Sequence, residues 1–249
     1  MVLFVVFAPT CVNILMKRKL AGIPGMDRVV QPLADYSVSE APGTTLSYGG
    51  FELEVPWNST FKTKGKGRIQ AFNFASGPAV ILWIAKNQDG FLTESANDPS
   101  LHMEGLRAAF PELLKQPAYD QYAVLLNITP ASIRPFGPVD EAARETTLLM
   151  LKAITVSGDI KSGVYSFQLP DKRGFQLGNP AAVPHLRVEI FDLNGPNVEI
   201  LLAAKDSNSR FTQFEVNRIV RTLHAVPQRE SDGDRSKAAL ERQPKGRRG

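Results

Sequence analysis

The sequence predicts an α+β domain: an antiparallel sheet covered by helices on both faces (an α/β/α sandwich), preceded by an N-terminal membrane anchor. Three observations lead to this fold class. The hydrophobic pattern alternates in several short segments, turns helical in the middle of the chain, and ends in one amphipathic helix. Residues 79–85 are apolar without alternation, which is typical of a strand buried between two layers. Residues 2–16 form an uninterrupted uncharged stretch that no later segment matches.

The apolar stretch 2–16 is followed by the basic cluster 17–19. It is shorter than the roughly 20 apolar residues of a spanning helix, and it contains Pro9 and Asn13. It is compatible with the tail of a longer helix that starts upstream, with the core of a signal peptide, or with a short buried strand. We favour the first. Residues 1–20 are therefore predicted to be a signal or anchor segment at a membrane.

The side of the membrane on which the domain lies depends on the flanking charges. The cluster 17–19 would hold the domain in the cytoplasm by the positive-inside tendency, whereas a basic segment upstream would reverse the orientation. We favour an extracytoplasmic domain. Cys11 is the single cysteine and lies inside the anchor, so the rest of the chain is compatible with an oxidising compartment.

The net charge of +4 is carried by the ends of the chain. The cluster 17–19 contributes three positive charges, and the segment from residue 225 onward contributes a net three more, which leaves the body at about −2. A nucleic-acid-binding domain carries its positive charge as a patch on the folded body. This distribution argues against nucleic acid as a partner.

Composition divides the remaining chain into three parts. Residues 21–45 are rich in Gly, Pro and small polar residues, and are predicted to form an extended linker that lifts the domain off the membrane. Residues 46–226 are predicted to form a single globular α+β domain, since a hydrophobic share of 43 % is sufficient for a core. Residues 227–249 contain no aromatic residue and many charges, which indicates a disordered tail.

The first half of the domain contains strands and then helices. Residues 51–55 alternate and stop at Pro56, which predicts a half-buried strand. Asp140 and Glu141 mark the start of a helix, because acidic side chains are favourable at a helix N-terminus. The predicted segments are strands at 51–55, 68–75 and 79–85, helices at 103–115 and 117–126, a short helix capped by Thr129, and a helix from Asp140 to about residue 154.

The second half returns to strands and ends in the best-marked helix. Strands are predicted at 164–169, 174–177, 186–190 and 198–202, with Asn194-Gly195 as a hairpin turn between the last two. Thr212 and Glu215 have the spacing of a capping box, and Phe211 and Val216 that of a hydrophobic staple. The buried stripe of this helix is predicted to contain Phe214, Ile219, Val220 and Leu223.

Three segments carry a resemblance to a known group. They are the opening strand and its Pro-Trp end at 51–57, the late hairpin, and the closing helix at 214–223. Together they cover most of residues 46–224, and their order resembles the Mog1/PsbP-like α/β/α sandwich superfamily. Members of that superfamily are mostly non-enzymatic partners in larger assemblies, so the resemblance implies a binding role.

Candidate catalytic chemistry is sparse. Glu52 and Glu54 lie two apart on a predicted strand, so their carboxylates share one face about 6–7 Å apart, as a hydrolase could use. The same alternation is typical of a solvent-facing strand, which we favour. None of the three histidines, His102, His185 and His224, has a second His, Cys or acid at metal-ligand spacing, and neither a thiol nor a G-x-S-x-G motif supplies a nucleophile. We predict no catalytic residue, metal or cofactor.

The candidate interaction surface is a basic segment that follows Trp57. Lys62, Lys64, Lys66 and Arg68 alternate with small residues, and the glycines between them favour an exposed, flexible loop. Such a loop suits an anionic partner: a lipid head group, a polymer phosphate or an acidic protein. The other interpretation is a solvated hairpin turn whose charges prevent aggregation through a sheet edge.

These features favour a membrane-tethered, non-enzymatic binding domain whose partner is a protein or an anionic surface. The alternative is an enzyme, such as a hydrolase, whose site is assembled from residues distant in the sequence. A cleft in which carboxylates converge would favour the enzyme, and an exposed Trp57 beside the basic segment would favour the binding domain.

Overall fold

An eight-stranded mixed sheet is the centre of this α+β fold. The structure is a computed structural model and describes residues 2–85, 92–93, 104–134, 138–156, 158–193 and 195–226. The strands are β1 (Gln31–Pro32), β2 (Thr44–Tyr48), β3 (Phe51–Val55), β4 (Phe61–Lys66), β5 (Ile69–Phe74), β6 (Ala79–Ile84), β7 (Val164–Leu169), β8 (Lys172–Leu177), β9 (His185–Phe191), β10 (Val198–Ala203) and β11 (His224–Ala225). The helices are α1 (Val2–Ala21), α2 (Glu104–Ala109), α3 (Ala118–Asn127), α4 (Val139–Val156) and α5 (Gln213–Thr222).

The strand order of the large sheet is β1-β7-β8-β9-β10-β6-β5-β4. Every neighbouring pair is antiparallel except β1 with β7, which is parallel. The strands β11, β3 and β2 form a separate three-stranded antiparallel sheet. The α+β class is confirmed. The prediction of one purely antiparallel sheet is wrong, because β1 comes from a segment whose Gly- and Pro-rich composition gives no strand pattern.

The inner face of the large sheet carries Leu82, Val188 and Ile200, each at most 1 % exposed. It packs against α5 and the three-stranded sheet, and all of these elements contribute to one hydrophobic cluster. This face therefore has two kinds of cover: a helix, as predicted, and a small sheet, which the sequence did not suggest.

Helix α5 begins as its sequence predicts. The Thr212 hydroxyl accepts a hydrogen bond from the Glu215 amide at 3.2 Å, and the Glu215 carboxylate accepts one from the Thr212 amide at 2.7 Å. The capping box is confirmed. Ile219 is buried, but Phe214 is 46 % exposed. The predicted stripe is wrong at Phe214, because a helix turns about 200° over two residues and so places Phe214 nearly opposite Val216.

The outer face of the large sheet is covered over part of its width. Beneath α3 and α4, Phe175 of β8 packs against Tyr122 of α3. Towards β6 and β5 the described helices no longer cover the sheet, and Trp83 and Ile69 are 37 % and 49 % exposed. The prediction that residues 79–85 are covered on both sides is therefore wrong at Trp83, which the described helices leave partly exposed.

Residues 21–45, predicted to be a linker, are held against the domain. Met26 is fully buried beside Leu149. The Asn217 side-chain amide of α5 donates hydrogen bonds to the carbonyls of Asp35 and Ser37, at 3.0 and 2.7 Å. The Gly- and Pro-rich composition does not reveal these contacts. Backbone carbonyl groups accept hydrogen bonds whatever the residue type, so the sequence carries no signal for them. This segment, which also contains β1 and the start of β2, is part of the fold.

The apolar stretch 2–16 lies in helix α1, so its interpretation as a short buried strand is wrong. The end of α1 contacts the domain: Leu20 is buried, and the Lys17 ammonium donates to the Ile133 carbonyl at 3.1 Å. Among the described residues, no helix has the length and apolar character needed to cross a bilayer. The membrane anchor and the extracytoplasmic location stay predictions. The predicted tail 227–249 lies outside the described residues.

Candidate functional site

The predicted basic segment is a strand and a turn. Lys62, Lys64 and Lys66 lie on β4, at the edge of the large sheet, where they are exposed and share the outer face by alternation. A Cβ on Gly65 would lie 2.3 Å from the Ile69 carbonyl oxygen, so this glycine is required by the close approach of β5. Lysines on an edge strand are typical of proteins that prevent aggregation through a sheet edge. The contact of these lysines with an anionic partner stays a prediction.

Arg68 lies in the turn after β4, which Gly67 forms with a φ of 64°. Its guanidinium stands over the Trp83 ring, 6.0 Å from the centroid, and donates to the Ile84 carbonyl at 3.4 Å. Arg68 is thus partly buried, and its guanidinium contacts Trp83 while the residue itself directly follows the strand of the lysines.

Trp57 does not belong to this surface. Its ring packs edge-to-face on Phe74, at 5.4 Å, and tilted on Phe211, at 5.7 Å. Its indole N–H donates to the Glu215 carboxylate at 3.0 Å. It therefore lies against the inner core, on the other side of the sheet from the lysines. The structure brings the three lysines and Arg68 together and separates Trp57 from them, because Trp57 precedes β4 and packs against the inner-face cluster, whereas the lysines project from the outer face of that strand.

Glu52 and Glu54 form no paired site. They lie on β3, where Glu54 pairs with Arg218 at 3.1 Å and Glu52 accepts from the Ser47 hydroxyl at 2.9 Å. The ring of His224 is 3.9 Å from Glu52. These contacts are those of a surface strand, as the alternation indicated. Within the described ranges no group of three His, Cys, Asp or Glu side chains is placed to hold a metal ion.

A mainly apolar cavity lies elsewhere, on the outer face where β9, β10 and β6 emerge from beneath α3 and α4. Its volume is about 220 Å³. Its apolar wall comes from Trp83, Tyr122 and Phe191, and its polar groups include Arg187, Glu189 and Glu199. None of these six was predicted as a site residue.

Strand register brings the two glutamates together. Glu189 of β9 lies directly opposite Glu199 of β10, and Glu199 lies opposite Trp83 of β6. Opposite residues on antiparallel strands have Cβ atoms about 4.5–5.5 Å apart, and like charges there repel. Protonation of one carboxyl group removes this repulsion and allows that group to donate a hydrogen bond to the other.

Glu189 and Glu199 share one proton at neutral pH. Burial raises the pKa of Glu189 to about 8, with the charge of Glu199 adding to the rise and Arg187 opposing it. Burial also raises the pKa of Glu199, while Arg187 and the hydrogen bond from Glu189 act against the rise. At neutral pH, Glu189 is therefore the protonated partner and donates to the Glu199 carboxylate.

Tyr122 and Arg187 are further neighbours of Glu189. The Tyr122 hydroxyl donates to Glu189 Oε1 at 3.1 Å. Arg187 Nη2 donates to the Thr155 carbonyl at 2.9 Å and lies 3.3 Å from Asp159 Oδ2. Arg187 Nε is 3.5 Å from Glu189 Oε1 but makes no hydrogen bond within the described structure, although it is buried. A buried donor without an acceptor is rare, so this atom marks the site as incompletely satisfied.

The sequence contains a weak signal for this site. Glu189 and Glu199 are the polar members of two alternating strands, and the hairpin turn predicted between the strands would place them near each other. Alternation alone assigns such residues to solvent. Their burial follows from α3 and α4, which are distant in sequence.

Comparison with models of protein families, with curated proteins and with solved structures finds no match for this chain. The resemblance to the Mog1/PsbP-like superfamily therefore stays a prediction.

Replacing Glu189 by glutamine is expected to change how stability depends on pH. Between about pH 4.5 and 8 the folded protein keeps the Glu189 proton while the unfolded chain has lost it, so this group's stabilisation decreases as pH rises through that window. The stability of Glu189→Gln relative to the wild type should therefore increase from pH 5 to pH 8 in urea unfolding. Glu112→Gln, at an exposed surface ion pair, is the control. Parallel profiles for Glu189→Gln and the wild type would contradict a shared proton.

Proposed function

We propose that this protein is a binding domain and that its site is the cavity between β9, β10, β6 and the helices α3 and α4. The observation that carries the proposal is an apolar, partly open cavity in which three polar side chains converge, Arg187, Glu189 and Glu199. Small-molecule sites are typically concave and mainly apolar, with a few placed polar groups.

The size of the cavity limits the ligand. An engineered cavity of about 150 Å³ is large enough for benzene, and the cavity here has about 220 Å³. A ligand with one ring, or an aliphatic group of similar volume, fits. Trp83 lines the cavity and is 37 % exposed, so it provides a contact at the entrance.

Benzyl alcohol is a suitable probe because it combines one ring with one polar group. A saturable change in tryptophan fluorescence on titration is expected for the wild type, since Trp83 lines the site. Ala85→Leu fills the cavity and should abolish the change. Ala203→Leu is the matched control: it adds the same side-chain volume to β10, four residues beyond Glu199 and outside the cavity. Absence of saturable binding to the wild type would overturn the proposal.

The second candidate function is a hydrolase, which the proton-sharing carboxyl pair favours. In aspartic proteases two carboxyl groups share one proton and act on a water molecule. We prefer the binding role because Glu189 is already engaged by Glu199 and Tyr122. Hydrolysis of a peptide or ester substrate by the wild type, lost in Glu199→Gln, would favour the enzyme instead.

A further inference from the structure

We propose that the ligand of this cavity carries a protonated amine, which takes the place of the proton shared by Glu189 and Glu199. The inference rests on the proposed function and names its ligand class: a compact aromatic or aliphatic primary amine. Three features support it, namely the charge of the site, the nature of its walls, and the unpaired nitrogen of Arg187.

The charge of the site is suited to one cation. The guanidinium of Arg187 has its own counter-charge in Asp159, 3.3 Å away, and its Nη2 is bonded to the Thr155 carbonyl. The carboxyl pair with one proton then keeps one negative charge. Replacing that proton by an ammonium group leaves the net charge of the site unchanged. The ammonium group also supplies three N–H donors to the two carboxylates.

The walls are suited to the carbon body and to the charge. Trp83, Tyr122 and Phe191 line the same cavity as the carboxyl pair. An ammonium group near aromatic faces is stabilised by the ring quadrupole, more so when water is excluded. A neutral ligand of the same shape gains the apolar contact but not this electrostatic stabilisation.

The unpaired Nε of Arg187 gains a partner when the amine binds. It lies 3.5 Å from Glu189 Oε1, and it makes no hydrogen bond while Glu189 holds a proton. An ammonium group that displaces this proton leaves Glu189 as a carboxylate, which is the stronger acceptor. Binding thereby pairs a buried donor that the ligand-free site leaves without an acceptor.

The inference predicts that one proton leaves when the amine binds. Among the described residues, the charged and titratable groups around the pair are Tyr122 from α3, Arg187 from β9, Asp159 after α4, and Arg68 over Trp83. Burial raises the pKa of Tyr122, whereas at Arg187 burial acts to lower the pKa but is outweighed by the neighbouring acidic groups, which raise it, so neither group releases its proton between pH 6 and 8. The displaced proton therefore comes from the carboxyl pair, and affinity for the amine should rise from pH 6 to pH 8.

Benzylamine and benzyl alcohol test the inference, since they differ only in the polar group. At pH 7.5 we expect benzylamine to bind the wild type at least about tenfold more tightly, which corresponds to about 1.4 kcal/mol. Glu199→Gln should weaken benzylamine binding by about tenfold and benzyl alcohol binding by a smaller factor, because only the amine loses a charged partner. Glu112→Gln, at an exposed carboxylate outside the site, should change neither. Calorimetry of the wild type in two buffers of different ionisation enthalpy should show about one proton released per benzylamine at pH 6.

The outcomes separate the two proposals. If benzyl alcohol binds as tightly as benzylamine, or if benzylamine binds without releasing a proton, the amine inference is overturned and the binding cavity stands. If neither compound binds the wild type, the proposed function is overturned as well. The proton count uses the wild type alone, so it decides the question even where Glu199→Gln is poorly folded.

Discussion

Replacing Lys152 by methionine is expected to lower the free energy of unfolding by about 3–5 kcal/mol. Lys152 of α4 is fully buried, and its ammonium group donates three hydrogen bonds of 2.7 Å to the carbonyls of Arg28, Leu126 and Ile128. Methionine keeps an apolar stem of similar length but donates nothing. Three buried carbonyl groups would lose this donor, and the segment before β1 would lose its tie to α3 and α4.

The measurement is urea unfolding at pH 6. This is below the pKa of about 8 to which burial lowers Lys152, so the ammonium group of the wild type is charged. The control is Lys115→Met, because Lys115 is 70 % exposed and forms only a surface pair with Glu112. It should change stability by no more than about 0.5 kcal/mol. A Lys152→Met variant as stable as this control would show that the three hydrogen bonds contribute little.

Replacing Ile219 by alanine is expected to lower the free energy of unfolding by about 2–5 kcal/mol. Ile219 of α5 is 1 % exposed and lies in the inner-face cluster, between the large sheet and the three-stranded sheet. Removing three carbon atoms there leaves a cavity that two sheets constrain from collapsing.

Phe214→Ala is the matched control on the same helix. It removes a larger side chain, but Phe214 is 46 % exposed, so the loss should be at most about 1 kcal/mol. Thermal or urea unfolding of both variants measures the difference. A larger loss at Phe214 than at Ile219 would show that α5 does not pack on the sheets through the face described above.

Elements that are marked by residues close together in the sequence were predictable. The capping box of α5 needs residues only three apart, and the alternation of β9 and β10 repeats every two residues. The strands β1 and β11 were missed because their partners lie far along the chain, whereas β2 was missed although it pairs with β3 directly after it. Gln31, for example, pairs with Tyr165, and His224 pairs with Glu52.

The candidate site was missed for a related reason. A glutamate at an alternate strand position is typical of a solvent face, and nothing near Glu189 in the sequence indicates that Tyr122 will lie above it. The basic segment, in contrast, was predicted as a site and as a loop, whereas it forms a strand and a turn. Gly65 suggested a flexible loop, but its small size allows two strands to approach closely. Residue type and spacing predicted the exposure of Lys62, Lys64 and Lys66, whereas they did not predict which face Trp57 would occupy.

The contacts of residues 21–45 affect the order in which a chain made from its N-terminus can fold. The strand β1 pairs with β7, and the carbonyls of Asp35 and Ser37 are bound by Asn217 of α5. During synthesis the early segment is therefore exposed before its partners exist, and contacts across such separations form slowly. Only when the last helix has left the ribosome can both ends of the chain take their native positions. A chain that stops before residue 213 would keep the strands of the large sheet, including β1, yet leave the carbonyls of Asp35 and Ser37 without the donor that Asn217 supplies.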